Sequence, residues 1–335
     1  MKYLVCSLAL LCCVLKVFSQ NNTSLHEIEA FGTNPGNLKC YLHSLDTATI
    51  KEPLVVVLHG CGQDAQAVAN LTGWNKLADF QHFRVLYPQQ RVVNNPNNCF
   101  NWFELNDITK GKGECESIYQ MIQYLKAHYA IDTNRIYIAG LSAGAAMSMA
   151  VVATHPALFK GVAIFEGGAY KIATNALEAS GALLGIRSPL SSELVQNFIN
   201  ADTSYHGPYP TLLAFQGMND LVVNPKNLKW LTQQWCGIHH VDTIPDFILK
   251  SYKQTPDLTR TVYTNDKRQR VLITYQVKNM GHQVLIKPGL SPKEGGQLGL
   301  FGCNKGFHST YEVAWEFGLI LPPKPTFDKA PSAPK

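Results

Sequence analysis

The sequence predicts an α/β fold with a mostly parallel central sheet flanked by helices. Short apolar runs of strand length, rich in β-branched residues, recur along the chain. Segments with helical spacing alternate with them, as in βαβ units. Turns rich in Gly, Asn and Asp follow several of the runs, where open α/β sheets carry their functional groups.

The elements follow in order. Residues 20–38 are polar and Gly/Asn-rich. Leu54–Leu58 is a buried-type strand that ends at His59-Gly60-Cys61-Gly62-Gln63. Ala65–Phe80 has helical spacing, and Phe83–Tyr87 is a second strand, stopped by Pro88. Residues 89–113 form an Asn-rich loop carrying Asn101-Trp102-Phe103. Glu114–Tyr129 is a helix with Ile118, Met121, Ile122 and Leu125 on one face. Strands at Ile136–Ile138, Val162–Phe165, Leu212–Phe215 and Val271–Val277 continue the pattern, with helices at Ala145–Thr154 and Thr310–Leu319. Residues 168–210 interrupt the alternation with a Ser/Asn-rich stretch containing one weak helix, which reads as a lid-like excursion over the sheet. Residues 237–270 are loop-rich, and no internal repeat is present.

Composition narrows the class of protein. With 46% hydrophobic and 16% charged residues among 335, the chain reads as globular. Residues 1–19 read as a signal peptide: Lys2, an apolar run from Leu4 to Leu15, and small residues before a cleavage point near Ser19. The expected product is a catalytic domain over 20–321 with a Pro/Lys-rich disordered tail over 322–335, secreted or periplasmic. Losing Lys2 and Lys16 lowers the formal charge of +5 by two, too little and too scattered for a nucleic-acid surface. No later run is long enough for stable membrane insertion. Six cysteines remain after the leader, and their even number in an exported chain predicts three disulfides, with the pairing left open among 15 possibilities. The spacings of Cys and His argue against a zinc site, and acyl transfer by a serine triad, the chemistry read below, calls for no metal or organic cofactor.

The chemistry centres on Gly140-Leu141-Ser142-Ala143-Gly144, a G-x-S-x-G turn between a strand and a small-residue helix. That context turns the motif into a nucleophile elbow, with the Ser142 hydroxyl pushed out of the sheet. An acid and a base should follow in the order Ser, acid, His, each after a strand. Asp220 follows Leu212–Phe215 through Gln216-Gly217-Met218-Asn219, whereas Asp202, Asp242 and Asp246 have no buried strand before them. His282 follows Val271–Val277, whereas His239 and His240 lie in a polar loop and His308 precedes a helix cap. The His59-Gly60-Cys61 turn supplies an oxyanion loop, with the amides of Cys61 and Ala143 as donors and His59 as a structural ring.

With these parts placed, the chain resembles the polyhydroxybutyrate depolymerase family of α/β-hydrolase esterases, related to feruloyl and acetylxylan esterases. The resemblance rests on PLVVVLHGCGQ, GWNKLADFQHFRVLYPQQ, CFNWFELND, KGKGECESIYQMI, IDTNRIYIAGLSAGAAMS, QGMNDLVVNP and NMGH. It implies Ser142 as nucleophile, Asp220 as acid, His282 as base and Cys61 as oxyanion donor. It also implies a Cys61–Cys99 disulfide and Trp102 as an aromatic, substrate-binding wall. The sequence departs from the family in having Gln216 where a His is usual, a change expected not to touch the triad. Gln283-Val284-Leu285-Ile286 follows His282 in place of the usual Ala-Trp-Ser-Gly-Gly, altering a pocket wall. A separate polymer-binding domain of the kind some secreted family members carry is not expected in the stretch after Leu321. The expected partner is an ester or polyester substrate, with short-chain hydroxyalkanoate esters preferred. A feruloyl or acetylxylan-type carbohydrate esterase and a non-catalytic binding protein on the same fold are the alternatives.

Overall fold

The computed structural model describes residues 25–45 and 50–320; the expected leader and tail lie outside the described residues. The strands are β1 (His26–Ile28), β2 (Lys39–His43), β3 (Glu52–Leu58), β4 (Arg84–Gln89), β5 (Ile131–Leu141), β6 (Gly161–Phe165), β7 (Thr211–Gly217), β8 (Phe247–Leu249), β9 (Leu258–Thr264), β10 (Arg270–Val277), β11 (Val284–Ile286) and β12 (Gly302–Asn304). The helices are α1 (Ala65–Thr72), α2 (Trp74–Gln81), α3 (Gly113–His128), α4 (Ala143–Thr154), α5 (Ala176–Leu183), α6 (Ser191–Ile199), α7 (Lys226–Ile238) and α8 (Ser309–Glu316).

Ten strands form one sheet in the order β1-β2-β4-β3-β5-β6-β7-β10-β9-β8. The six from β4 to β10 are parallel, and antiparallel pairs flank them on both sides. A parallel sheet with covered faces demands strands that are apolar throughout, which is why Leu54–Leu58 reads as an unbroken run. Alternate side chains serve opposite faces. Leu54, Val56 and Leu58 pack in a core with α3, α4 and α7, and Val55 and Val57 pack in a second core with α1, α2 and α8. This is an α/β-hydrolase fold. The turns that follow β3, β5, β6, β7 and β10 all leave the carboxyl edge of the parallel strands, where such sheets hold ligands.

Several expectations are corrected. The helix predicted over 65–80 is two helices that meet at Gly73, which has φ 75°. A Cβ there would lie 2.6 Å from the Gly296 amide nitrogen, so tertiary contact sets the break. The polar N-terminal stretch contains β1, and the loop-rich 237–270 segment contains β8 and β9. The 168–210 excursion carries two helices, and Leu194 and Ala182 pack with Trp230 of α7, a helix the sequence reading did not anticipate. Three disulfides are not formed among the described cysteines: Cys61 and Cys99 are bonded, and Cys40, Cys115, Cys236 and Cys303 are free. Cys40, Cys115 and Cys236 are buried in the core as small apolar side chains, and burial pushes the Cys40 and Cys236 thiols up to about 12.

Candidate active site

Ser142 stands between β5 and α4 with φ 56° and ψ −120°, a conformation a non-glycine residue holds only when its surroundings enforce it. The surroundings are two close approaches. A Cβ on Gly140 would lie 2.3 Å from the Gly144 carbonyl oxygen, and one on Gly144 would lie 2.4 Å from the His59 carbonyl oxygen. Both positions therefore require glycine, and strand, helix and the loop after β3 converge on the serine. The Ser142 amide donates to the Phe165 carbonyl at 2.9 Å.

Asp220 and His282 meet because the loops after β7 and β10 are packed backbone to backbone. The amides of Met218 and Asn219 donate to the carbonyls of Val277 and Met280, both at 2.9 Å. The Asp220 Oδ1 accepts from the amides of Val222 and Val223 at 2.7 and 2.9 Å. Its Oδ2 lies 2.8 Å from His282 Nδ1. Burial works to raise the Asp220 carboxyl, but His282 and these amides outweigh it and hold the group below its ordinary value. Nδ1 is thus engaged by Asp220, and His282 and Ser142 line the same cleft. Gln216 is not remote from Asp220: its Nε2 lies 3.4 Å from Asp220 Oδ2, which corrects the expectation that this position does not touch the candidate triad.

The loop after β3 is held rigidly beside the serine. His59 is buried, its Nδ1 lying 2.8 Å from the Gly60 carbonyl and its Nε2 accepting from the Gln90 amide at 3.0 Å. Burial lowers this imidazole to about 4, so it is neutral and spans two loops as a strut. The Cys61–Cys99 bond and a 2.8 Å bond from the Gly62 amide to the Asn97 carbonyl join the same two loops. Ala143 opens α4, where an amide has no acceptor within the helix.

Cys61, Ser142, Ala143, His282 and Trp102 all line one cleft of about 280 Å³. Its walls are apolar, with Ala169, Ile172 and Leu183 from the excursion, Val222 and Val223 from the acid loop, and Phe301 near β12. Trp102 is half-buried and edge-on to Phe103. Its loop is anchored by Glu114 of α3, which accepts from the Asn101 amide and Nδ2, both at 2.9 Å, and from Gln90 Nε2 at 2.5 Å.

The sequence reading missed Glu166. It follows β6 directly, has φ 52°, is wholly buried and also lines the cleft. Both its carboxyl oxygens receive the Gly217 amide, at 2.9 and 3.0 Å. The available signal was an acidic residue directly after a buried strand, in Phe165-Glu166-Gly167. Glu166, Asp220 and His282 bring one donor atom each within 4.8 Å of one another. Their atoms are already engaged: Nδ1 of His282 with Asp220, Asp220 Oδ1 with the Val222 and Val223 amides, and Glu166 with the Gly217 amide.

This fold and cleft define an esterase of the α/β-hydrolase class. A family described as esterase PHB depolymerase matches residues 39–244, and the chain belongs to it. It is 36% identical over 317 residues to a poly(3-hydroxyalkanoate) depolymerase C of Paucimonas lemoignei, covering 92% of this chain and 73% of that protein. It is 26% identical to a feruloyl esterase B of Thermothelomyces thermophilus, across 78% of this chain and 89% of that one. An acetyl xylan esterase from Aspergillus awamori has the same fold, with a TM-score of 0.71, 21% identity, and coverage of 77% of this chain and 94% of that one. No helix of the described residues is long and apolar enough to cross a membrane.

Proposed function

We propose that this esterase is exported and hydrolyses short-chain hydroxyalkanoate esters through a Ser142–His282–Asp220 triad. The observation that carries the reading is the His282–Asp220 hydrogen bond beside a cleft that also presents Ser142 on a strained elbow. His282 Nε2 takes the Ser142 proton as the oxygen attacks the ester carbonyl, while Asp220 fixes the tautomer and stabilises the imidazolium. The negative charge gathers on the carbonyl oxygen, held by the amides of Cys61 and Ala143, each worth about 3 kcal/mol in the transition state. His282 then gives its proton to the departing alcohol, and the acyl group remains on Ser142. Water repeats the sequence and releases the acid.

Substrate class is read from the cleft walls. Ile172, Leu183, Val222 and Phe301 suit a short acyl chain with an alkyl branch, and the 36% identity to a poly(3-hydroxyalkanoate) depolymerase points the same way. Turnover on 3-hydroxybutyrate oligomers against feruloylated arabinoxylan tests this. The reading expects hydrolysis of the oligomers; hydrolysis of the arabinoxylan ester alone overturns it.

A further inference from the structure

Glu166 has no place in the reaction as written, yet it is wholly buried beside the acid of the triad. Among the described residues its hydrogen-bond donors are backbone amides, with no cation among the interactions that act on it. The Gly217 amide reaches both oxygens, and the Gln283 amide adds a further donor. Asp220, 4.8 Å away or closer, is already well served as an anion by Val222, Val223 and His282. Two carboxylates this close and this buried disfavour each other's ionisation, so one of them holds its proton to a much higher pH. The one with more donors keeps the charge, and the other keeps a proton and hydrogen-bonds through it.

We propose that Glu166 is a neutral carboxylic acid that donates its proton to the Asp220 carboxylate and thereby positions the triad acid. The proposal rests on Asp220 being that acid. Asp220 is then gripped from all sides: two amides on Oδ1, the imidazole on Oδ2, and the Glu166 O–H. The proton also keeps the cleft wall that Glu166 forms free of a second negative charge. Of the titratable groups on the loops packed around Glu166, those that face it among the described residues are Asp220 and His282, and α4 offers it only alanines in the cleft. Burial first, and then the Asp220 charge, push the Glu166 carboxyl well above its ordinary value, in keeping with this geometry.

The test uses the full chain with Glu166→Gln, Glu166→Ala and Asp220→Asn. Infrared difference spectra at neutral pH, wild type minus Glu166→Gln, should contain the carbonyl band of a protonated carboxylic acid. A carboxylate band alone overturns the proposal, whatever the activities. In kinetics on a short-chain nitrophenyl ester, Glu166→Ala should lower kcat roughly tenfold or more, the scale of a hydrogen bond to a charged group. Its acidic limb should move to higher pH, because an Asp220 carboxylate without that donor holds the imidazolium more firmly. Glu166→Gln, which keeps an N–H donor, should recover much of the loss. Equal losses in both variants with an unmoved acidic limb would reduce Glu166 to packing and overturn the proposal. If Asp220→Asn keeps wild-type activity, it is the triad assignment that fails; if it loses activity while Glu166→Ala does not, only Glu166 fails.

Discussion

A methyl group on Gly144 would sit 2.4 Å from the carbonyl oxygen of His59, so the helix that follows Ser142 and the loop that follows β3 touch backbone to backbone. Ala143 and Cys61, whose amides are the proposed oxyanion donors, lie on the two elements that meet at this contact.

Gly144→Ala therefore forces the two apart. Overpacking a rigid backbone contact costs about 1–3 kcal/mol. Thermal unfolding should report that loss, and kcat should fall further than stability does, because both oxyanion donors are displaced. A variant with wild-type kcat would show that the two elements can separate without harm to the site.

The Cys61–Cys99 bond closes a segment with a sequence separation of 38 and fastens the loop after β3, the proposed oxyanion loop, to the loop bearing Trp102. Its replacement by two serines should cost about 2–4 kcal/mol of stability. It should also lower kcat roughly tenfold or more through a loosened Cys61 amide. In the native protein, Cys40, Cys115 and Cys236 should resist thiol reagents until the chain unfolds, since all three are buried.

Glu114 provides a pH-dependent stability. Burial, followed by the Asp107 charge, raises its carboxyl from 4.5 to about 8. The folded state thus binds this proton more tightly than the unfolded state, and the associated stability is fully present below 4.5 and lost as pH rises towards about 8. The loss should be on the order of a few kcal/mol. Glu114→Gln should flatten the dependence of Tm on pH over that window; an unchanged slope would mean that the proton is not held there.

Trp102 lines the cleft, and the proposed reading gives it a substrate-binding rather than a catalytic part. Trp102→Ala should lower kcat/KM roughly tenfold, mainly through KM, about 1.4 kcal/mol of binding. Steady-state kinetics across acyl lengths would reveal the split; a fall in kcat alone would place Trp102 nearer the chemistry.

The parts of the fold legible in the sequence were those with strong local signals. Leu54–Leu58 is a continuous apolar run, and Val271–Val277 a largely buried one, because both faces of a parallel sheet are covered. Gly140 and Gly144 bracket Ser142 because only glycine fits, and Asp220 and His282 stand directly after recognisable strands. What escaped depends on packing between distant segments. Gly73 breaks a helix because Gly296 presses on it, and the cysteines stay unpaired because each is buried in the core or on a separate element. Glu166 was overlooked because its meaning comes from Asp220, 54 positions further on and on a neighbouring strand's loop. Gln216 was dismissed for the same reason, since its reach to Asp220 is a matter of three dimensions.

The central claim is that Ser142 carries the acyl group. Rapid mixing with a short-chain nitrophenyl ester, quenching in acid and mapping the modified peptide by mass spectrometry tests it directly. The account predicts an acyl adduct on Ser142 in the wild type and neither adduct nor turnover in Ser142→Ala. An adduct on another residue, or equal hydrolysis by the two proteins, would contradict it.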